Sequence, residues 1–307
     1  MDILLHTTGA NAADWHSACA NALPEAEITR WPDVRSPIDY LLVWKPPAEL
    51  FARVPSCKAI FNLGAGVDAL LHVPTLPVDV PIIRLEDAGM ADQMVEYVTQ
   101  VILATFRERS VYAGQQREGR WQPRQRLAKT DFGIGLLGLG VLGKAVAAGL
   151  APLGFPLSGW SRSWKVIPGV RAFAGSDELP AFLAQSRVLV CLLPSTRDTR
   201  DLLDRTRLLH LPRGAHLINI ARGDIVIDAD LIALLDAGHL DGATLDVFRE
   251  EPLPASHPFW HHPRIEVTPH VSAVTLIEDS VAQIAAKIRR IEHGLPVTGV
   301  VDRTREY

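Results

Sequence analysis

The stretch "DFGIGLLGLGVLGKAVAAGLAPLG" (131–154) runs from a short apolar segment, through a tight turn, into an alanine-rich segment of high helix propensity. Gly138, Gly140 and Gly143 stand in G-x-G-x-x-G spacing. Between a strand and a helix, the first glycine permits the sharp turn. The second lets the backbone approach a pyrophosphate, and the third lets helix and strand pack closely. The anion then lies at the helix N-terminus, where the N–H groups of Val141, Leu142 and Gly143 lack partners within the helix and the macrodipole is positive. The spacing alone is weak. Its setting points to a dinucleotide site, because a second strand, "PLSGW" (156–160), ends where a ribose-reading residue belongs.

That position, about 20 residues beyond the turn, carries an aspartate or glutamate in chains that hold NAD. Here stand Ser161, Arg162 and Ser163. A guanidinium pairs bidentately with phosphate, and serine hydroxyls on either side can donate further hydrogen bonds. The expectation is a 2′-phosphate, hence NADPH in preference to NADH; the bland alternative is a surface arginine at a strand end.

Outward from the turn, apolar runs alternate with helical segments, the pattern of an α/β protein with mostly parallel sheets. "DILLH" (2–6), "DYLLVW" (39–44), "CKAIFNL" (57–63) and "VPIIRL" (80–85) read as strands of a first unit. From Met90 to Arg109, the residues Met94, Val98, Val101, Ile102, Thr105 and Phe106 share one helical face. A polar, arginine-rich stretch at 114–131 reads as a solvated connection rather than a basic binding patch, with Trp121 as a packing anchor. Beyond Phe132 the strands "FGIGLL", "PLSGW", "RVLVCLL", "AHLINI", "GATLDVF" and "RIEVTP" are almost uniformly apolar, as expected of strands buried on both faces. A last helix from about Val274 to His293 carries Ile277, Val281, Ile284, Ala285, Ile288 and Ile291 on one stripe and stops at Gly294. It needs an apolar surface to cover, and the first unit supplies one.

The expected fold is therefore α/β, with two doubly wound parallel-sheet domains. Residues 1–98 and 273–307 form a discontinuous, flavodoxin-like substrate domain, residues 99–272 a Rossmann-type cofactor domain, and a cleft lies between them. The 307 residues suffice for two such cores. A net charge of −4 gives no basic field for nucleic acid or an anionic membrane. No apolar stretch approaches a membrane helix, and "MDILLHTTGA" lacks the basic start of a signal peptide. Cys19, Cys57 and Cys191 show neither disulfide nor zinc spacing, which suits a cytoplasmic location.

Three further stretches end strands in polar residues: "LINIARGDIVIDADLIALLDAG" (217–238), "GATLDVFREEPLP" (242–254) and "RIEVTPHVSA" (264–273). Ligands of open α/β sheets bind at the carboxyl ends of the strands, which would gather Arg222, Glu251 and His270. Each alone is commonplace: a surface charge, a loop, a structural histidine. In that order they form a set. A histidine donates a proton near neutrality, a carboxylate beside it favours the imidazolium, and an arginine grips a carboxylate while polarising a keto oxygen. His257, His261 and His262 lack further ligands at suitable spacing and read as loop residues, with no metal site expected.

Together "GLLGLGVLG", "NIARGDIV", "LDVFREEPLP" and "TPHVSA" resemble the D-isomer-specific 2-hydroxyacid dehydrogenase family. Within it, "NLGAGVD", "RLEDAGMADQMVEY", "HPFWHHPRIEVTPHV" and "VDRTREY" resemble the glyoxylate/hydroxypyruvate reductase A branch, so that the resemblance spans essentially the whole chain. It implies that Arg222 binds substrate, that Glu251 partners His270 and that His270 is the acid/base. It also implies that Leu63, Gly64, Ala65 and Gly66 hold the substrate carboxylate through backbone amides. Leu193, Pro194 and Ala221 would line the cofactor site beside the adenosine and turn, and Asp246 would hold the nicotinamide amide. Trp44 and Lys45 end a strand and could close the pocket over a small acid, although a solvated lysine reads equally well. The implied activity is NADPH-dependent reduction of glyoxylate to glycolate and hydroxypyruvate to D-glycerate by a homodimer. The alternatives are a dehydrogenase for a bulkier 2-keto acid and, from another class, a nucleotide-sensing corepressor-like protein.

Overall fold

The structure, a computed structural model, describes all residues except 9, 10 and 36. The chain divides into two compact units, Met1–Met90 with Thr275–Tyr307, and Ala91–Val274.

The first unit contains β1 (Asp2–His6), α1 (Ala12–Ala22), β2 (Glu27–Arg30), β3 (Tyr40–Val43), α2 (Ala48–Arg53), β4 (Ala59–Asn62), α3 (Asp68–Leu71) and β5 (Ile82–Arg84). All pairings are parallel, in the order β2-β1-β3-β4-β5, which is the flavodoxin-like doubly wound arrangement. The register aligns His6 with Val43, Val43 with Asn62 and Asn62 with Arg84. The chain therefore leaves β3 into Trp44 and Lys45, and β4 into Leu63–Gly66, at one carboxyl edge.

Ala91–Val274 holds all but the first residue of α4 (Met90–Phe106), then α5 (Arg109–Arg117), β6 (Ile134–Leu137), α6 (Val141–Leu150), β7 (Leu157–Ser161), β8 (Val170–Ala174) and α7 (Gly175–Leu183). β9 (Val188–Cys191), α8 (Arg205–Leu208), β10 (Ala215–Asn219), α9 (Asp228–Asp236), β11 (Leu240–Leu245) and β12 (Ile265–Val267) complete it. Its seven parallel strands run β12-β11-β10-β9-β6-β7-β8, the Rossmann order extended by one strand. Trp160, Leu137, Cys191, Asn219, Leu245 and Val267 form one row across this sheet. Gly138, Ser161, Asp246 and Thr268 follow the row directly.

α10 (Ile277–Glu292) returns to the first unit and packs against α1. Val281, Ile284, Ala285 and Ile288 form its buried stripe. Each large aliphatic there contributes about 1.5–3 kcal/mol relative to exposure. The tail continues the covering: Arg84 N–H donates to Gly299 O, and Val301 N–H to Ile82 O, which closes the open edge of β5.

Several local readings are corrected. α10 begins three residues later than the apolar pattern suggests, and α4 ends at Phe106 because Glu108 takes a left-handed backbone, φ 52°. The polar stretch from Gly114 starts within α5, so the irregular connection opens only after Arg117. Trp121 anchors nothing, being 96% exposed; Arg124 holds the connection instead, its guanidinium donating to Glu108 at 2.7 Å and its N–H to the Tyr112 hydroxyl at 3.1 Å. β2 and β8 have no counterpart in the apolar runs. Both are edge strands, exposed enough for polar residues to alternate along them. No helix among the described residues is long and apolar enough to cross a membrane.

Candidate active site

In Ala91–Val274, the glycine turn joins β6 to α6 as its spacing requires. Gly138 has φ +115°, which L side chains rarely adopt, and a Cβ there would stand 2.9 Å from the Leu192 main chain. At Gly143 a Cβ would lie 2.0 Å from Gly138 O. Packing within the protein thus dictates both residues. Gly140 differs: its backbone is extended, it is exposed, and a Cβ would meet nothing within 4 Å. The space above it suits a ligand that approaches the main chain. Gly140 caps α6 without any side-chain hydrogen bond, which leaves the first N–H groups of Val141, Leu142 and Gly143 to an anion.

At the end of β7, the Ser161 hydroxyl donates to Ser163 O at 2.7 Å and is buried. It shapes the turn that carries Arg162 and Ser163. Arg162 and Ser163 are exposed. Lys165, absent from the sequence-based set, donates to Leu139 O at 2.8 Å inside the glycine turn. Burial lowers its pKa, and the charges of Lys144 and Arg162 push the same way. Three cations about one turn suit a polyanion. The signal for Lys165 was its place in "GWSRSWK", three residues after Arg162.

Leu193 and Ala221 are buried beside the turn's row, whereas Pro194 is exposed and its carbonyl accepts from the Thr199 hydroxyl at 2.6 Å. Asn219, at the end of β10, shapes the next loop: its amide donates to Arg222 O at 2.9 Å and its oxygen accepts from Ala221 N–H at 3.2 Å. Arg222 itself donates to Ala221 O at 2.7 Å. At Gly223 a Cβ would lie 2.0 Å from the Phe248 main chain, so the arginine loop and the loop after β11 touch backbone to backbone. That contact brings Arg222 near Glu251.

Glu251 accepts from Phe248 N–H at 3.0 Å through one oxygen and meets His270 Nδ1 at 2.8 Å through the other. Burial pushes its carboxyl up, but the hydrogen bonds from His270 and Phe248 and the charges of His270 and Arg222 outweigh this and leave it below the usual range. An ionised carboxylate only accepts, so Nδ1 carries the hydrogen and Nε2 is left for a reacting atom. The His270 side chain is 44% exposed.

Asp246, which the resemblance reads as a nicotinamide contact, follows β11 directly. It is wholly buried, its Oδ1 accepts from the Thr268 hydroxyl (2.6 Å) and Val271 N–H (2.9 Å), and its Oδ2 accepts from Ser272 N–H (2.8 Å). The carboxylate is turned into the histidine loop.

The remaining candidates lie in the first unit. Trp44 is half-buried, and its ring would stand 2.5 Å from a Cβ at Gly64. Lys45 is exposed with φ 45°, its ammonium 5.9 Å from the Trp44 ring centre. Burial lowers the pKa of His6, opposed by a hydrogen bond to the Lys45 main chain. Asn62, read from sequence only as strand, is buried and donates to Gly64 O at 2.8 Å and Gly66 O at 2.9 Å. It ties up two carbonyls that would repel an anion at the Leu63–Gly66 loop. His257 and His262 face Asp228 and Asp236, at 3.5 and 3.3 Å. Among the described residues no group of three or more His, Cys, Asp or Glu is placed to hold a metal ion.

Comparison with known proteins gives consistent relatives. The NAD-binding domain of the D-isomer specific 2-hydroxyacid dehydrogenases matches residues 99–272. Glyoxylate/hydroxypyruvate reductase A of Escherichia fergusonii is 47% identical, and that of Yersinia enterocolitica 45%, each over the whole of both chains. The crystal structure of a D-isomer specific 2-hydroxyacid dehydrogenase from Xanthobacter autotrophicus Py2 with NADPH and MES superposes with a TM-score of 0.94 at 43% identity, over 100% of this chain and 99% of that one. An NADPH-dependent glyoxylate/hydroxypyruvate reductase from Sinorhizobium meliloti, with NADP and sulfate, gives 0.92 at 36% identity and the same coverage.

Proposed function

The chain belongs to the D-isomer specific 2-hydroxyacid dehydrogenase family, and from that premise we propose that it reduces glyoxylate to glycolate and hydroxypyruvate to D-glycerate with NADPH. The observation that carries the chemistry is the 2.8 Å contact between His270 Nδ1 and Glu251, set beside Arg222. Supporting the cofactor are the open space over Gly140, the uncapped start of α6 and the cations Arg162 and Lys165.

When bound, NADPH supplies the hydride that reaches the keto carbon. The chain's own residues do the rest. Protonated His270 gives its Nε2 proton to the keto oxygen, and Glu251 keeps Nδ1–H in place before and after. Arg222 pairs with the substrate carboxylate or its developing oxyanion. The Leu63–Gly66 loop, with Trp44 and Lys45 beside it, takes the carboxylate. A 2-keto acid, NADPH and a proton thus become a 2-hydroxy acid and NADP. In this reading residues 1–98 and 273–307 form the substrate domain and residues 99–272 the cofactor domain.

The same reading includes a homodimer, supported by the exposed Trp121 on an irregular arm, since large exposed aromatics favour association. It also includes a cytoplasmic location, supported by three unpaired cysteines.

Steady-state rates with glyoxylate, hydroxypyruvate and larger 2-keto acids, each with NADH and NADPH, test the proposal. The two small acids with NADPH should give the highest kcat/KM. His270→Ala should lower kcat by about 10²–10⁴-fold, the usual scale of acid/base catalysis. Preference for a bulky acid would replace the substrate assignment, and near-normal turnover in His270→Ala would remove the proton donor.

A further inference from the structure

His270 holds a left-handed backbone, φ 54°, which a residue with a Cβ keeps only where its surroundings impose it. Those surroundings converge on one residue. The main-chain carbonyl of Asp246 accepts from His270 N–H at 2.9 Å. Its carboxylate, 0% exposed, accepts from Thr268, Val271 and Ser272, on both sides of the histidine. These bonds compensate for burying the group, and they fix the loop in return.

The hydroxyl of Thr268 donates its one hydrogen to Asp246 Oδ1 at 2.6 Å. Thr268 Oγ1 also lies 2.6 Å from the Tyr97 hydroxyl, so Tyr97 O–H donates to Thr268. Burial raises the pKa of Tyr97, which keeps that hydrogen in place. A directed chain therefore runs from α4 to the loop: Tyr97 to Thr268, Thr268 to Asp246, and Asp246 to the residues about His270.

We propose that Tyr97 and Thr268 are positioning residues for His270, acting through Asp246. The proposal rests on the reading of His270 as proton donor. Proton transfer is steeply sensitive to geometry, so a small shift of this loop lowers turnover without touching the cofactor.

Thr268→Val keeps the shape of the side chain and removes the hydroxyl. It should lower kcat at least about tenfold, with NADPH Kd, from fluorescence titration, unchanged within about twofold. Thr268→Ser, which retains the hydroxyl, should restore kcat to within about threefold of the original. Tyr97→Phe should lower kcat by about threefold or more alone and add no further loss in the Thr268→Val background, as expected of coupled groups. Wild-type kcat in Thr268→Val, equal losses in Thr268→Val and Thr268→Ser, or additive losses with Tyr97→Phe would each overturn the proposal. NADPH affinity falling in step with kcat would also overturn it, in favour of a cofactor contact. One readout is independent of turnover: the His270 ring resonance, assigned by its loss in His270→Ala, should move in Thr268→Val and stay in Thr268→Ser. An unmoved resonance in Thr268→Val refutes positioning, whereas full activity of His270→Ala refutes only the proton-donor reading.

Discussion

The two glycine loops, 138–143 and 63–66, both leave the carboxyl edge of a parallel sheet, yet different forces build them. In the first, backbone meets backbone: Gly138 is left-handed, and the space for a Cβ at Gly143 is filled by Gly138 O. In the second, side chains do the shaping: the Trp44 ring crowds Gly64, and the Asn62 amide draws in the carbonyls of Gly64 and Gly66. A backbone-built loop has no slack, because main chain cannot rotate away from a collision. A side-chain-built loop can yield by a rotamer change, and depends on a neighbouring strand being in register.

The contrast is most severely tested by a pair of alanines. Gly143→Ala should fail to give a folded, NADPH-binding protein, since its Cβ would overlap main chain. Gly140→Ala, where the backbone suits any residue and the space is open, should keep the same thermal midpoint while NADPH Kd rises at least about tenfold, a change of about 1.4 kcal/mol. Circular dichroism and fluorescence titration decide both; a well-folded Gly143→Ala, or an unaffected NADPH affinity in Gly140→Ala, would break the comparison.

Asn62→Ala tests the other loop. Two carbonyls lose their donor, at a cost of about 1–3 kcal/mol in stability, and keto-acid KM should rise several-fold while NADPH Kd stays constant. If keto-acid KM does not change, the loop does not hold the carboxylate.

The smallest effect comes from acid, and it falls on the sheet that carries the glycine turn. Burial, with the charge of Arg187, lowers the pKa of His216 on β10 to about 4, so it folds neutral. Its ordinary value is 6.5; its contribution is therefore full above that pH and is lost as pH falls from 6.5 towards 4. Between pH 7 and 6 the loss should be less than about 1 kcal/mol. Urea unfolding at the two pH values, with and without His216→Gln, measures it, and identical slopes in both proteins would refute the attribution.

The central strands of both sheets were legible because burial on two faces demands apolar runs, as in "RVLVCLL" and "AHLINI". β2, "EITR", was not, since an edge strand is under no such demand. Arg222, Glu251 and His270 could be picked out because each follows a strand whose carboxyl end is the binding edge. Asn62, Lys165 and Tyr97 escaped notice: each acts through partners remote in sequence or by an orientation that a helix or strand pattern does not specify. Ser161 and Asp246 add what spacing does not specify, since both side chains make hydrogen bonds within their own loops.

By itself the sequence determined the two doubly wound sheets, the glycine turn and the order of the arginine, glutamate and histidine, because local periodicity and backbone sterics act over a few residues. Only the tertiary structure decided which side chains the fold ties together by hydrogen bonds. Hydrogen-bond commitment depends on register across strands and on loops that meet far apart in the chain, as Tyr97, Thr268 and Asp246 do around His270.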